Sequence, residues 1–165
     1  MKILKVRNVK TPTRGTDKSA GIDFYVPEDF NKTCLAPLTD LLIPTGIKAN
    51  IPEGYMLIAA EKSGVTTSKD ACLLAGREPK PEAFDSPTVL GAKIVDEDYQ
   101  GEIHIHVINV GRTDVMIKSG MKIAQFILVP VLYDAVEEVT SEEELYNGVE
   151  TQRGDRGFGH GTGEN

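Results

Sequence analysis

Short runs of apolar residues, separated by glycine, proline and other turn residues, recur along most of the chain. In one of them Ile103, Ile105 and Val107 alternate with His104 and His106, which is the period of a half-buried strand. About ten such strands, with turn signals roughly every 8–12 residues and essentially no amphipathic helix, predict an all-β sandwich, jelly roll or barrel. The predicted strands cover residues 3–9, 22–26, 41–43, 47–51, 55–60, 71–75, 88–95, 103–110, 115–117 and 123–132.

Two segments near the C-terminus depart from this pattern. Ser141 precedes an acidic stretch that ends at Leu145, and it predicts the N-cap of at most one small helix. Residues 151–165 are rich in glycine and cannot bury enough apolar surface to fold alone. Residues 1–150 are therefore predicted to form a single β domain, and residues 151–165 a flexible C-terminal arm.

Length and charge limit the partners of the chain. With 165 residues it is long enough for one domain with a full hydrophobic core. The net charge of −7 argues against a nucleic-acid polymer, although a local group of lysines and arginines can still bind a nucleotide. Residues 1–15 lack the apolar core of a signal peptide, and no run approaches the ~20 apolar residues of a membrane span. We expect a cytoplasmic protein without membrane contact, with Cys34 and Cys72 as buried free thiols.

The segment from residue 91 to 111 carries a dense group of polar side chains. Its two apolar runs flank an acidic corner, where Tyr99 lies at the tip and Gly101 permits a sharp reversal. Carboxylates fixed at strand ends beside an aromatic ring can bind a metal ion or deprotonate water. A solvated acidic hairpin is the alternative interpretation. The carboxylates of the corner are Asp96, Glu97, Asp98 and Glu102.

Polar residues also interrupt or follow other predicted strands. Asp23 is the only charge in its strand, so it either faces solvent or has a partner. Gln125 interrupts the most apolar run, where a buried amide needs a hydrogen-bond partner. Lys62, Ser63 and Gly64 follow the strand at 55–60, and a cation, a hydroxyl and backbone N–H groups can together cradle an anion. The Lys-Ser-Gly tripeptide alone is common in loops.

The glycine-rich tail contains one aromatic residue beside arginines. Phe158 could stack on a base while Arg153 pairs with phosphate, and a disordered terminus is the alternative. His104 and His106 are a possible metal pair, but only one other histidine occurs and no cysteine lies nearby, so we favour a solvent-facing strand surface over zinc. The sequence motifs of serine hydrolases, zinc proteases, P-loop proteins and dinucleotide-binding proteins do not occur.

Five segments between Ala20 and Gly163 resemble, in order, the five motifs of the trimeric dUTP pyrophosphatase (dUTPase) family. The third, fourth and fifth motifs, correctly spaced, make the resemblance specific. The segments are Ala20-Gly21-Ile22-Asp23, Lys62-Ser63-Gly64, Ile94-Val95-Asp96-Glu97-Asp98-Tyr99-Gln100-Gly101, Gly120-Met121-Lys122-Ile123-Ala124-Gln125, and Arg153-Gly154 with Gly157-Phe158-Gly159.

The resemblance implies a jelly-roll homotrimer that hydrolyses dUTP to dUMP and pyrophosphate with Mg²⁺. Its three active sites would lie at subunit interfaces, each closed by an arm formed by residues 151–165. Asp96 would be the general base that orients water for in-line attack on the α-phosphorus, and Asp23 would reach the Mg²⁺ ion through water. Tyr99 would pack under the deoxyribose and Phe158 on uracil. The implied substrate-binding residues are Lys62, Ser63, Gly64, Tyr99, Gln125, Arg153 and Phe158.

The chain also departs from the family pattern. Lys62 stands where the family usually has arginine, and Leu90 and Lys93 stand where it usually has asparagine and glycine before the catalytic aspartate. The loop at residues 76–87 lengthens the interval between the second and third motifs, and the tail is one residue longer than usual. Backbone groups of residues 88–95 are therefore expected to read uracil. A dCTP deaminase, alone or combined with the diphosphatase, and a non-catalytic nucleotide sensor on the same fold are the alternatives.

Overall fold

Strands make up most of the regular structure of the computed structural model, which describes residues 1–67, 69, 73, 78 and 84–155. Runs that alternate apolar and polar residues form strands because alternate side chains then share one buried face. The strands are β1 (Lys2–Lys5), β2 (Thr13–Arg14), β3 (Ile22–Phe24), β4 (Thr33–Leu35), β5 (Asp40–Pro44), β6 (Ile47–Asn50), β7 (Tyr55–Glu61), β8 (Thr88–Leu90), β9 (Ile94–Val95), β10 (His104–Asn109), β11 (Val115–Ile117) and β12 (Ala124–Pro130). The helices with defined bounds are α1 (Ser63–Thr66) and α2 (Glu142–Tyr146).

Strand β12 lies at the centre of the largest sheet. It pairs with β3 on one side and with β7 on the other, and the full order is β2-β3-β12-β7-β9. A second sheet has the order β5-β10-β8, while β1 with β6 and β4 with β11 form two-stranded pairs. All of these pairings are antiparallel. The all-β prediction is confirmed for the described part of the chain.

The inward faces of these strands form the core. On β10 Ile105 is buried, whereas His104 and His106 on the opposite face are partly exposed, as the alternating sequence predicts. Phe24 on β3 and Phe126 on β12 are both buried, with ring centroids 4.5 Å apart. Burial of a large apolar side chain stabilises a fold by about 1.5–3 kcal/mol. The packing of these two rings therefore helps to fix the register of β3 against β12, and with it the polar residues beside them.

The prediction of at most one small helix is wrong. Helix α2 begins after Ser141, whose Oγ accepts the N–H of Glu144 at 3.2 Å, as the sequence predicts. Helix α1 was not predicted, because glycine, valine and threonine have low helix propensity. It forms a single turn in which the N–H groups of Val65 and Thr66 donate to the carbonyl of Lys62 at 2.8 and 3.0 Å. Val65 is buried, so tertiary packing outweighs local propensity here.

Two expectations from local apolar composition are also wrong. Cys34 is a free thiol, as predicted, but it is exposed, because β4 turns the neighbouring Leu35 into the core and Cys34 to the opposite face. Cys72 lies outside the described residues. Of the predicted strand at 71–75 the structure describes Leu73 alone, which is helical and exposed.

The chain divides into two compact units, Met1–Leu132 and Tyr133–Asn165. The first contains β1 to β12 and α1, and the second contains α2. The sequence analysis placed the end of the β domain at residue 150, whereas the first compact unit ends at Leu132. The role predicted for residues 151–165 stays a prediction. None of the helices among the described residues is long and apolar enough to cross a membrane.

Candidate active site

A cationic cavity of about 590 Å³ opens where β7 ends and β12 begins. The two strands pair side by side, so the residues that follow β7 face Gln125 near the start of β12. The turn between β11 and β12 forms the opposite wall. Ammonium groups, hydroxyls and backbone N–H groups together suit a multiply charged anion. The lining residues include Lys62, Ser63, Gly64, Lys118, Ser119, Lys122 and Gln125.

Asp23 lies buried beside this cavity and has partners. Its Oδ1 forms an ion pair with the ammonium of Lys62, and its Oδ2 lies 3.4 Å from Nζ of Lys122. The side chain of Asp23 is 5% exposed, while those of Lys62 and Lys122 are 22% and 46% exposed. The two ammonium groups offset the cost of removing the carboxylate from water. The prediction that Asp23 either faces solvent or has a partner is resolved in favour of partners.

Gln125 pairs with Asp23 in the register of β12 and β3. Its Nε2 donates to the carbonyl of Glu61 at 3.1 Å, which supplies the hydrogen-bond partner that the sequence required. This bond fixes the amide plane at the mouth of the cationic cavity. The second and fourth sequence motifs and the aspartate of the first therefore meet around one cavity.

A second cavity, of about 260 Å³, contains Asp96 and Tyr99 in its wall. Asp96 directly follows β9, which pairs with β7 and is thereby anchored in the main sheet. The N–H of Tyr99 donates to the carbonyl of Asp96 at 3.2 Å and closes the turn. The Tyr99 hydroxyl donates to the carbonyl of Glu102 at 3.0 Å. Asp96 itself is exposed, so its carboxylate is accessible to water.

Gly101 is needed for a different reason from the one the sequence suggested. Its φ is not in the left-handed region that a glycine-dependent reversal would use. A Cβ atom at this position would instead collide with the ring and hydroxyl of Tyr99. Glycine therefore allows Tyr99 to fold back over the turn.

The other carboxylates of the acidic corner have distinct environments. Oε2 of Glu97 accepts the N–H of Gly54 at 2.6 Å. Oε1 of Glu102 accepts the N–H of Gly46 at 2.7 Å and the Nε–H of Arg7 at 2.9 Å. These two glutamates connect the hairpin to neighbouring turns. Of the four carboxylates, Asp96 is the one that lines the second cavity.

His104 and His106 both have hydrogen-bond partners within the protein. Nδ1 of His106 accepts the N–H of Ala92 at 3.1 Å, and its Nε2 lies 2.9 Å from Oδ2 of Asp40. Nδ1 of His104 lies 2.8 Å from the carbonyl of Glu102. No group of three or more metal-ligating side chains occurs among the described residues.

Glu61 and Lys93 form an ion pair that the sequence analysis missed. Nζ of Lys93 donates to Oε1 of Glu61 at 2.8 Å, and the N–H of Leu90 donates to the same oxygen at 3.1 Å. The hydrogen bond from Lys93 is the main reason that the pKa of Glu61 lies below its ordinary value, and it acts against burial, which raises that pKa. A lysine in place of the family's usual glycine was the available signal, but its partner is far away in sequence.

Lys118, Ser119 and Lys122 were also missed as candidate site residues. Lys118 and Ser119, followed by Gly120, repeat the Lys-Ser-Gly order of residues 62–64, and both tripeptides line the cationic cavity. This repetition was the signal in the sequence. The sequence does not show that the two tripeptides lie close together, because this depends on the turn between β11 and β12, which places residues 118–120 opposite residues 62–64.

The predicted site residues of the first unit other than Asp23 are distributed over two cavities. The cavity of Asp96 and Tyr99 and the cavity of Lys62, Ser63, Gly64 and Gln125 share no described lining residue. Arg153 belongs to the second compact unit. Phe158 lies outside the described residues.

Comparison with known proteins gives a consistent result. The family model described as dUTPase matches residues 7–162. The chain belongs to the dUTPase family. Deoxyuridine 5'-triphosphate nucleotidohydrolases of Chlamydia pneumoniae and Finegoldia magna are 36% and 34% identical to it. These alignments cover 90% and 97% of this chain and 88% and 96% of the relatives.

Solved structures support the same jelly-roll fold for this dUTPase. The dUTPase of Staphylococcus bacteriophage 80alpha with dUPNHPP superposes with a TM-score of 0.74 at 20% identity, covering 96% of this chain and 95% of that one. The dUTPase of phage phi11 of S. aureus, whose structure concerns the coordination of a structural Mg(II) ion, gives 0.68 at 20% identity, with coverage of 86% and 97%. The predicted jelly-roll fold is confirmed.

Proposed function

We propose that this dUTPase hydrolyses dUTP to dUMP and pyrophosphate. The observation that carries the proposal is that Asp96 and Tyr99 line one cavity, on a hairpin anchored to the main sheet through β7. An accessible carboxylate beside an aromatic ring provides a base and a platform for a sugar. Relatives named deoxyuridine 5'-triphosphate nucleotidohydrolase support this substrate.

In the proposed reaction Asp96 accepts a proton from a water molecule and orients it for in-line attack on the α-phosphorus. Phosphoryl transfer requires little covalent help from a protein, so positioning and charge neutralisation supply most of the rate. The short β9 strand and the turn hydrogen bond to Tyr99 restrict the motion of Asp96. Tyr99 packs under the deoxyribose and leaves no space for a 2′-hydroxyl.

The cationic cavity is the proposed triphosphate site. Lys62 supplies charge, Ser63 and Gly64 supply a hydroxyl and an N–H, and the Gln125 amide is already oriented by its bond to Glu61. Arg153 is proposed to add a bidentate contact to phosphate, and Phe158, which lies outside the described residues, to stack on uracil.

The residues around Asp23 fit a Mg²⁺ ion carried by the triphosphate rather than one held directly by protein. The two ammonium groups engage one oxygen each, and a carboxylate has about four lone-pair sites, so water molecules can still donate to it. Asp23 would then hold the ion through its water shell, as suits an ion that keeps several waters. When bound, Mg²⁺ neutralises charge on the phosphate oxygens.

The active form is proposed to be a homotrimer with sites at subunit interfaces. The base and sugar residues line one cavity of the chain and the phosphate-binding residues another, with no shared described lining residue. Each chain therefore carries the two halves of a site in separate cavities. A second copy of the chain would complete the site by placing its cationic cavity against the Asp96 cavity of the first. Oligomers with closed rotational symmetry provide such heterologous contacts.

A panel of deoxynucleoside triphosphates tests the function. With Mg²⁺, the full-length protein is expected to release pyrophosphate from dUTP far faster than from dTTP, dCTP or dATP. Ammonia release from dCTP would instead identify a deaminase. Binding of dUTP without turnover would indicate a sensor and overturn the proposal.

A further inference from the structure

The turn that connects β8 to β9 is held to the rest of the sheet by a small number of contacts. Both flanking strands are short, Thr88–Leu90 and Ile94–Val95. The carbonyl of Lys93 accepts the N–H of Ala59 at 2.7 Å, and the N–H groups of Gly91 and Ala92 donate to the carbonyl and to Nδ1 of His106 at 2.9 and 3.1 Å. Side chains that bind this turn therefore have a large influence on where its backbone lies.

Glu61 is such a side chain, and it binds both ends of the turn at once. The same carboxylate oxygen accepts the N–H of Leu90 at 3.1 Å and the ammonium of Lys93 at 2.8 Å. Glu61 is also the last residue of β7, where its carbonyl accepts Nε2 of Gln125 at 3.1 Å. One residue thus connects the turn beside the Asp96 cavity to an amide that lines the cationic cavity.

The turn itself contributes little side-chain polarity with which to recognise a base. Leu90 is apolar, residues 91 and 92 are glycine and alanine, and the ammonium of Lys93 is bound to Glu61. Ala92 and Lys93 line the cavity that contains Asp96 and Tyr99. If a nucleobase enters this cavity, the donors and acceptors that the turn itself can offer are backbone groups, whose directions depend on the backbone position.

We propose that the Glu61–Lys93 pair is a positioning device for base recognition, in which Glu61 fixes the backbone of residues 90–93 in the orientation that selects uracil. This inference rests on the proposed hydrolysis of dUTP. Glu61 acts through the turn and is not a catalytic residue. It also keeps the charge of Lys93 directed at a carboxylate rather than at the base.

The exposure of the pair separates this role from a purely structural one. The side chains of Glu61 and Lys93 are 33% and 38% exposed, and ion pairs exposed to this degree contribute little to global stability. Loss of the pair should therefore leave the melting temperature nearly unchanged while the KM for dUTP and the preference for dUTP over dTTP change. Loss of a purely structural residue would instead lower the melting temperature and leave the KM and the preference for dUTP over dTTP unchanged.

The test compares Glu61→Ala, Glu61→Gln, Lys93→Met and the Glu61→Ala/Lys93→Met double variant in the full chain, with Mg²⁺ and dUTP or dTTP. Glu61→Ala loses both hydrogen bonds, and we expect the KM for dUTP to rise about five- to twenty-fold with kcat within about two-fold. Glu61→Gln keeps a neutral acceptor and should recover part of this loss. Because the pair acts as a unit, the double variant should resemble Glu61→Ala rather than multiply the two single effects.

Glu53→Gln and Lys48→Met are matched controls on exposed positions of the same unit, and wild-type kinetics are expected for both. If wild type does not hydrolyse dUTP, the proposed function fails. If wild type is active and both Lys93→Met and Glu61→Gln retain its KM and its dUTP-to-dTTP ratio, the positioning role is wrong while the function stands. Independent, multiplying effects of the two substitutions would also overturn it.

Discussion

Gly21 and Gln125 are in such close contact that a single Cβ atom at position 21 would overlap the side-chain amide of Gln125. Gly21 immediately precedes β3, and Gln125 lies on the neighbouring strand β12. The contact joins the first and fourth sequence motifs. A glycine that appears to belong to a turn is therefore required by the amide that it faces.

Gly21→Ala should impair both folding stability and activity. The added methyl group must displace Gln125, which breaks the bond from its Nε2 to the carbonyl of Glu61. Overpacking of this kind costs about 1–3 kcal/mol. We expect urea denaturation to show a loss in that range, and kcat/KM for dUTP to fall. Gly15→Ala is the control, because a Cβ there would meet only Ser19 Oγ at 3.3 Å.

Asp96→Asn should abolish most of the catalytic rate without affecting the fold. Asp96 is exposed and lines the cavity, and asparagine has the same shape but cannot accept the proton. Loss of a general base lowers kcat by roughly 10²–10⁴-fold. The melting temperature and the affinity for a non-hydrolysable dUTP analogue should remain close to wild type. Asp98→Asn, at an exposed neighbour, should retain activity, and a fully active Asp96→Asn would exclude the proposed mechanism.

Some of these relationships could be predicted from the sequence and others could not. The alternation of β10 and the acidic corner at Asp96 are local patterns, so sequence is sufficient to find them. The partner of Asp23 is not local: Lys62 is 39 positions away, and the pairing depends on how β3, β12 and β7 align. The exposure of Cys34 depends on which face of β4 reaches the core, which an apolar neighbourhood does not reveal.

Asp23→Asn should destabilise the protein. The substitution leaves the ammonium groups of Lys62 and Lys122 without their shared counter-ion. Both lysines retain some access to water, so we expect a loss of about 1–3 kcal/mol rather than the larger cost of a fully buried unpaired charge. Chemical denaturation measures this loss, and Asp29→Asn, at an exposed ion pair with Arg7, should change stability far less. Equal losses of unfolding free energy for the two substitutions would show that the burial of Asp23 does not increase the contribution of its ion pairs to stability.

The contribution of Glu61 to substrate binding should depend on pH with a defined sign. The hydrogen bond from Lys93 holds the pKa of Glu61 below its ordinary value, and Lys93 is the charged group that contacts this carboxylate. The ion pair is therefore complete above the ordinary glutamate pKa of about 4.3 and is lost as pH falls through the lowered value. Glu61→Gln has no such group, so the ratio of its KM for dUTP to that of wild type should stay constant from neutral pH down to about 4.3 and approach one only as pH falls further, through the lowered pKa of Glu61. A ratio that stays constant below about pH 4.3 as well would contradict the role of the charge.

Mixing two inactive variants tests whether active sites combine residues of different chains. Asp96 and Gln125 line separate cavities of one chain, so the proposed trimer places Asp96 of one copy opposite Gln125 of another. Asp96→Asn and Gln125→Ala homotrimers should each be nearly inactive. If the two proteins are unfolded and refolded together in equal amounts, about a quarter of the interfaces in a ring receive an intact residue from both neighbours. Activity should then return to roughly that fraction of wild type.

Light scattering should give a trimer mass for every sample, and separately refolded proteins that are mixed afterwards provide the control. A site built within one chain would give no recovery, because every chain in the mixture carries one defect.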